Sequence, residues 1–230
     1  MASSFSNNTK ISAGSVLKQS VNTLSIGQLT EDMIRILAAG ISEKLGTSVL
    51  TNPYRFIDPT TKVIGKYGFT VNTLRSQRYV YPETYFNGEL ENQRRWRGKD
   101  GIRDLDDFYF AEAIQDKILL TEIFSLYEDL QLANAIQSSD SPSVVAGMVM
   151  VGKALGGNVK QAVEFREGKI ITALNPQTTM IVDAVNTRKE LITWFYLGDA
   201  AVKQVNTKDG LGYSNKFYKL LTAEAAKSNW

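Results

Sequence analysis

An α+β fold is what the sequence predicts, and three stretches predict it. Residues 104–137 run without proline or glycine, as a long helix requires. Residues 52–101 carry Pro53, Pro59 and Pro82 among aromatic and β-branched runs, and the region after Pro142 mixes helical and alternating patterns. The expected architecture is an N-terminal arm (1–13), N-terminal helices (14–51), a long extended β-hairpin arm (52–101), and a spine helix followed by a compact mixed helix–strand core (102–230).

Each element follows from local chemistry. Residues 1–13 are rich in serine and asparagine and have little to bury, so they are expected to be a flexible arm that orders only against a partner. Val16, Leu17, Val21 and Leu24 permit a short helix. In "LTEDMIRILAAGISEKLG", Thr30 can cap a helix, Glu31 and Asp32 favour its positive end, and Gly46 can end it. Ile34, Leu37, Ile41 and Leu45 recur at spacings of three and four and define its apolar stripe. Within 52–101, "KYGFTVNTL" and "RYVYPETYF" read as strands, and Asn87-Gly88 as the tip of a hairpin. A stretch of that length with few helical signs is expected to project as a functional arm.

Asp104, Asp106 and Asp107 crowd the start of the next element, where Phe108, Ala111, Ile118, Ile123, Leu126, Leu130 and Ala133 fall largely on one face. It is a spine of roughly 50 Å at about 1.5 Å per residue, or two helices with a small break. Ser141 or Pro142 opens "SVVAGMVMVGKALGG", a buried helix whose Gly147 and Gly152 imply close packing. After the turn at Gly156-Gly157-Asn158, "VKQAVEF" and "GKIITAL" read as strands about a Glu167-Gly168 turn. "NPQTTMIVDAVNTRKEL" reads as a helix, "ITWFYLG" as a buried strand, and "YSNKFYKLLTAEAAKSNW" as a final amphipathic helix.

Composition narrows the function classes. The chain has 230 residues, a formal charge of +2, no cysteine and no histidine. A field that weak does not attract polyanions by itself. Disulfides, thiolate zinc sites and thiol nucleophiles are excluded, and imidazole is missing as base and as metal ligand. Carboxylate, Lys, Tyr or Ser–Lys chemistry is all that remains to an enzyme. No cofactor is expected. No run of about 18 apolar residues is present, and "MASSFSNNTKISAGS" lacks the pattern of a signal peptide, so a soluble, intracellular product without a membrane partner is expected.

One cluster stands out. Arg75, Arg78, Arg94, Arg95, Arg97, Lys99 and Arg103 are interleaved with Tyr79, Tyr81, Tyr85 and Trp96, which is the loose recipe for gripping single-stranded nucleic acid. Glu83, Glu89, Glu91 and Asp100 sit among them and offset much of the charge. Arginine and aromatic residues also anchor protein interfaces. Interface is the favoured reading, with Arg75, Arg78, Arg94, Arg95, Trp96 and Arg97 as candidate intersubunit contacts. Asp104, Asp106, Asp107, Glu122, Glu128 and Asp129 are weighed as metal or acid–base groups, but helix-start acids are usually caps. "GGNVK" and "GLGYSNK" lack phosphate-loop spacing and read as turns. Met148 and Met150 read as core filling.

In "LLTEIFSLYEDLQLANAIQSSDSPS", Glu122, Glu128, Asp129 and Pro142 follow a habit of spine helices, and Asn175, Pro176 and Thr178 resemble a strand-to-helix junction. Together with the order of arm, helix, extended loop, spine and mixed lobe, the chain resembles the major capsid proteins of tailed bacteriophages and their encapsulin relatives. The resemblance implies a self-assembling virion subunit, made in the host cytoplasm, whose partners are copies of itself and other virion proteins, with nucleic acid secondary. A viral nucleoprotein or head–tail connector, and an enzyme using carboxylates or a Ser–Lys pair, are the alternatives.

Overall fold

Thr30 starts the first helix as its side-chain chemistry dictates. In the computed structural model, which describes residues 25–171, 174–175, 177–183 and 185–206, its Oγ1 accepts a hydrogen bond from the Met33 N–H at 3.4 Å. The antiparallel pair β1 (Ser25–Ile26) and β2 (Leu29–Thr30) leads into helix α1 (Glu31–Lys44). Met33, Ile34, Leu37 and Ile41 form its buried stripe, and Gly46, at φ 70°, turns the chain away. The expected arm (1–13), the short helix before Leu24, Pro176 and the final helix lie outside the described residues.

Residues 52–101 do not form a β-hairpin arm. They fold into 3-10 turns at Pro53–Arg55, Asn87–Glu91, Gln93–Arg95 and Lys99–Gly101, the helix α2 (Val71–Ser76), and isolated bridges Ile57↔Ile64, Ile64↔Phe69 and Val80↔Trp96. Asn87 is not a hairpin tip, because it is buried and fully bonded. Its side chain accepts from the Val71 N–H at 2.7 Å and donates to the Thr61 carbonyl at 2.8 Å, while its own N–H reaches the Gln177 carbonyl at 2.9 Å. Phe69, Leu74, Tyr79, Leu90 and Trp96 bury themselves in the chain's own core, which leaves no projecting arm. Among the described residues the sheet is β1 and β2 alone, so the expected α+β class is corrected to a mostly helical fold.

The predicted spine is the two-helix version: α3 (Leu105–Phe110) and α4 (Glu112–Leu132) break at Ala111, whose φ and ψ are −96° and 60°. Asp104 caps α3 through the Asp107 N–H at 2.8 Å. The 21 residues of α4 span about 32 Å. Helix α5 (Pro142–Ala154) carries proline in its first turn and is buried from Ser143 to Ala154.

Two of the expected strands of the last region are helices, and the third, "GKIITAL", is turn or irregular backbone at residues 168–171 and 174, with 172–173 outside the described residues. "VKQAVEF" belongs to α6 (Val159–Arg166), capped by the Asn158 side chain on the Gln161 N–H, and "ITWFYLG" lies inside α7 (Thr187–Asn206). Leu191, Phe195 and Val202 are buried at helical spacing there, so packing on α5 outweighs the strand preference of Ile192, Thr193 and Trp194. Residues 177–183, expected as helix, are turns and bends.

Two glycines set the closeness of α5 and α7. A Cβ at Gly147 would meet the Phe195 ring at 2.5 Å, and one at Gly198 would meet the Ala146 carbonyl oxygen at 2.4 Å. Gly152 in turn faces Leu126 and Leu130 of α4, both 3.3 Å from where its Cβ would stand. Helix α5 is thus gripped by α4 on one side and α7 on the other. No described helix is long and apolar enough to cross a membrane.

Candidate functional site

Where α2, α4, the α5–α6 turn and the segment 175–179 meet, they enclose a groove of about 560 Å³. Glu122 lines it, and helix packing pairs that carboxylate with a buried lysine behind the lining. Lys153, fully buried on α5, donates from Nζ to Glu122 Oε2 on α4 at 2.6 Å, and Thr73 Oγ1 on α2 donates to Glu122 Oε1 at 2.6 Å. The ammonium also stands 5.3 Å from the centre of the Phe69 ring. Both oxygens of Glu122 are therefore engaged, and three helices are tied at one point.

The walls combine amides, hydroxyls and backbone with the side chains of Leu126 and Leu155. Asn72 Nδ2 donates to the Gly156 carbonyl at 3.2 Å, and its Oδ1 accepts from Arg75 at 2.9 Å. Ser76 and Ser125 line the same side, and Asn158, Gln161, Asn175 and Thr178 face them. Gly156 is required here: its φ is 62°, and a Cβ would lie 2.0 Å from the Thr178 carbonyl oxygen. The Met180 N–H closes that approach on the Ala154 carbonyl at 3.0 Å. Thr179 is only 3% exposed, lines the groove, and its Oγ1 has no hydrogen-bond partner among the described residues. An unmade bond of that kind costs about 1–3 kcal/mol.

The charges nearly cancel. Glu122 is matched by Lys153, which leaves Arg75 and Asp129 as the remaining groove charges of opposite sign. Among the described residues no cluster of three or more potential metal ligands occurs. Asp104 and Asp107 are spent on capping and on Arg103, and Glu128 is exposed outside the groove. A second polar cluster, in which Tyr67 and Tyr54 donate to Asp116 at 2.8 and 3.2 Å, is internally satisfied; burial, then the Asp116 bond, holds the Tyr67 phenol above its usual range.

The arginines singled out from the sequence separate into two groups. Arg75 is half-buried and held by Asn72 and by the Thr84 carbonyl at 3.1 Å; Arg95 pairs with Glu89. Trp96 is 5% exposed, donates to the Leu90 carbonyl at 2.9 Å and packs on Phe108. Those three serve the chain's own fold. Arg78, Arg94 and Arg97 are exposed, and Arg97 lies 5.8 Å from the ring centre of the exposed Tyr81.

Sequence reasoning named Glu122 and Asp129 but missed Lys153, Thr73 and the groove. A lone lysine inside the otherwise uncharged "SVVAGMVMVGKALGG" was the available signal, since a buried ammonium needs a carboxylate. No family model, curated protein or solved structure matches the chain.

Proposed function

We propose that the protein is a non-catalytic binding module whose groove takes an uncharged, hydroxyl-rich chain, an oligosaccharide. The observation that carries this is the lining: amides, hydroxyls and glycine backbone around balanced charge. Polyanions find no field there, while Leu126 and Leu155 among the polar groups suit a sugar, which carries C–H groups as well as hydroxyls. Binding rather than cleavage is favoured because both Glu122 oxygens are engaged, which leaves Asp129 without a second free carboxylate in the lining.

The test is calorimetric titration with neutral cello-, malto- and chitin-derived oligosaccharides. Saturable binding to one series is expected, weakened at least about tenfold by Ser125→Leu, which fills the groove from α4. No binding to any series, or an unaffected variant, overturns the reading. Release of shorter oligomers on incubation overturns its non-catalytic half, and steeply salt-dependent binding of an oligonucleotide would favour a nucleic-acid role instead.

A second reading keeps the virion structural role, as a self-assembling subunit with copies of itself as partners. Its support is the exposed set Arg78, Arg94 and Arg97, the last 5.8 Å from the Tyr81 ring centre, with none of the three arginines in an ion pair among the described residues. Such residues anchor desolvated interfaces. The oligomeric state in solution tests it.

A further inference from the structure

We infer that the groove is the inner part of a longer site, whose outer subsite is the ring of Tyr85. This inference rests on the oligosaccharide reading and extends it. Arg75 lines the groove with its guanidinium held by Asn72 and Thr84, and it also lies 5.7 Å from the centre of the Tyr85 ring. Tyr85 is 57% exposed, so one side of the ring rests against a groove residue while much of the rest meets solvent.

The ring is carried by a loop that is anchored to the groove on both sides. Glu89 Oε2 accepts the Tyr85 N–H at 2.7 Å and the Phe86 N–H at 3.1 Å. The Tyr85 N–H holds the Glu89 carboxyl below its usual range despite some opposing desolvation, and the Phe86 N–H and Arg95 add to it. Two residues on, Asn87 bonds to Val71, the first residue of α2, and to Gln177 in the segment that forms the opposite wall. The platform therefore moves with the groove and not independently of it.

A pyranose ring presents C–H groups on one face, and the π face of a tyrosine ring offers them a stacking surface. Among the described residues the groove lining contains no aromatic side chain, so Tyr85 supplies the stacking surface at its rim. Ligand units in the groove are recognised by hydrogen bonds, and the unit leaving it stacks on Tyr85. Affinity should then rise with chain length until that subsite is filled.

Disaccharides and tetrasaccharides of the cello-, malto- and chitin-derived series are titrated against the wild type, Tyr85→Ala and Tyr85→Phe. The ratio of tetrasaccharide to disaccharide affinity is expected to fall about tenfold in Tyr85→Ala and to persist in Tyr85→Phe, which keeps the ring. An unchanged ratio in Tyr85→Ala, or equal affinity of the wild type for both lengths, overturns the outer subsite while leaving the groove. Absence of any binding by the wild type overturns both.

Discussion

Lys153 is the residue on which the interior depends most directly. Its ammonium is fully buried, and Glu122 is its ion-pair partner. Removing one member of such a pair strands a buried charge at a cost of about 3–5 kcal/mol, whereas replacing both with apolar side chains is close to neutral. Lys153→Met alone should lower the unfolding free energy by that amount in urea titration, and Lys153→Met with Glu122→Leu should recover most of it. Equal losses in the single and double variants would mean that the two do not act as a unit. Thr30, Asp104 and Asn158 cap helices through bonds to backbone N–H groups three residues on, and the first two were legible for that reason. The partnership of residues 122 and 153 was not, because it joins two helices.

At the level of elements, the glycines of α5 and α7 decide how near the helices come. Gly198→Ala would press a methyl group into the backbone of Ala146 and Gly147, which cannot rotate out of the way. It should destabilise the fold by about 1–3 kcal/mol, as overpacking does. Gly88→Ala, with nothing within 4 Å of its would-be Cβ, should change stability by less than about 0.5 kcal/mol. Comparable effects in the two variants, measured by chemical denaturation, would remove close approach as the reason for the glycine. Helix α1 was readable because cap, stripe and stop agree locally, and α5 because Pro142 opens it and Gly156-Gly157 follow its end. "ITWFYLG" was misread as a strand because its β-branched and aromatic residues do prefer one, and the buried face that overrides the preference belongs to α5.

On the scale of the whole molecule, the groove and the exposed arginines make different demands. The described residues that line the groove belong to one chain, whereas a self-assembling subunit needs a second copy against Arg78, Arg94, Arg97 and Tyr81. Light scattering across a concentration series should show a mass above that of one chain if the assembly reading holds, and replacement of the three arginines by glutamate should reduce it. A monomeric mass at every concentration would exclude that reading and leave the groove untouched. By itself the sequence determined the starts of α1, α3 and α5, that thiol and imidazole chemistry are absent, and that a lysine sits in an apolar helix. Those properties depend on neighbours within a turn or on residue type. Only the tertiary structure decided that residues 52–101 fold back on the core and that Glu122 meets Lys153. It also decided that Arg75 stands between a polar groove and an exposed tyrosine. Each of these joins segments distant in the chain, and burial against a partner outweighs the local preference of either.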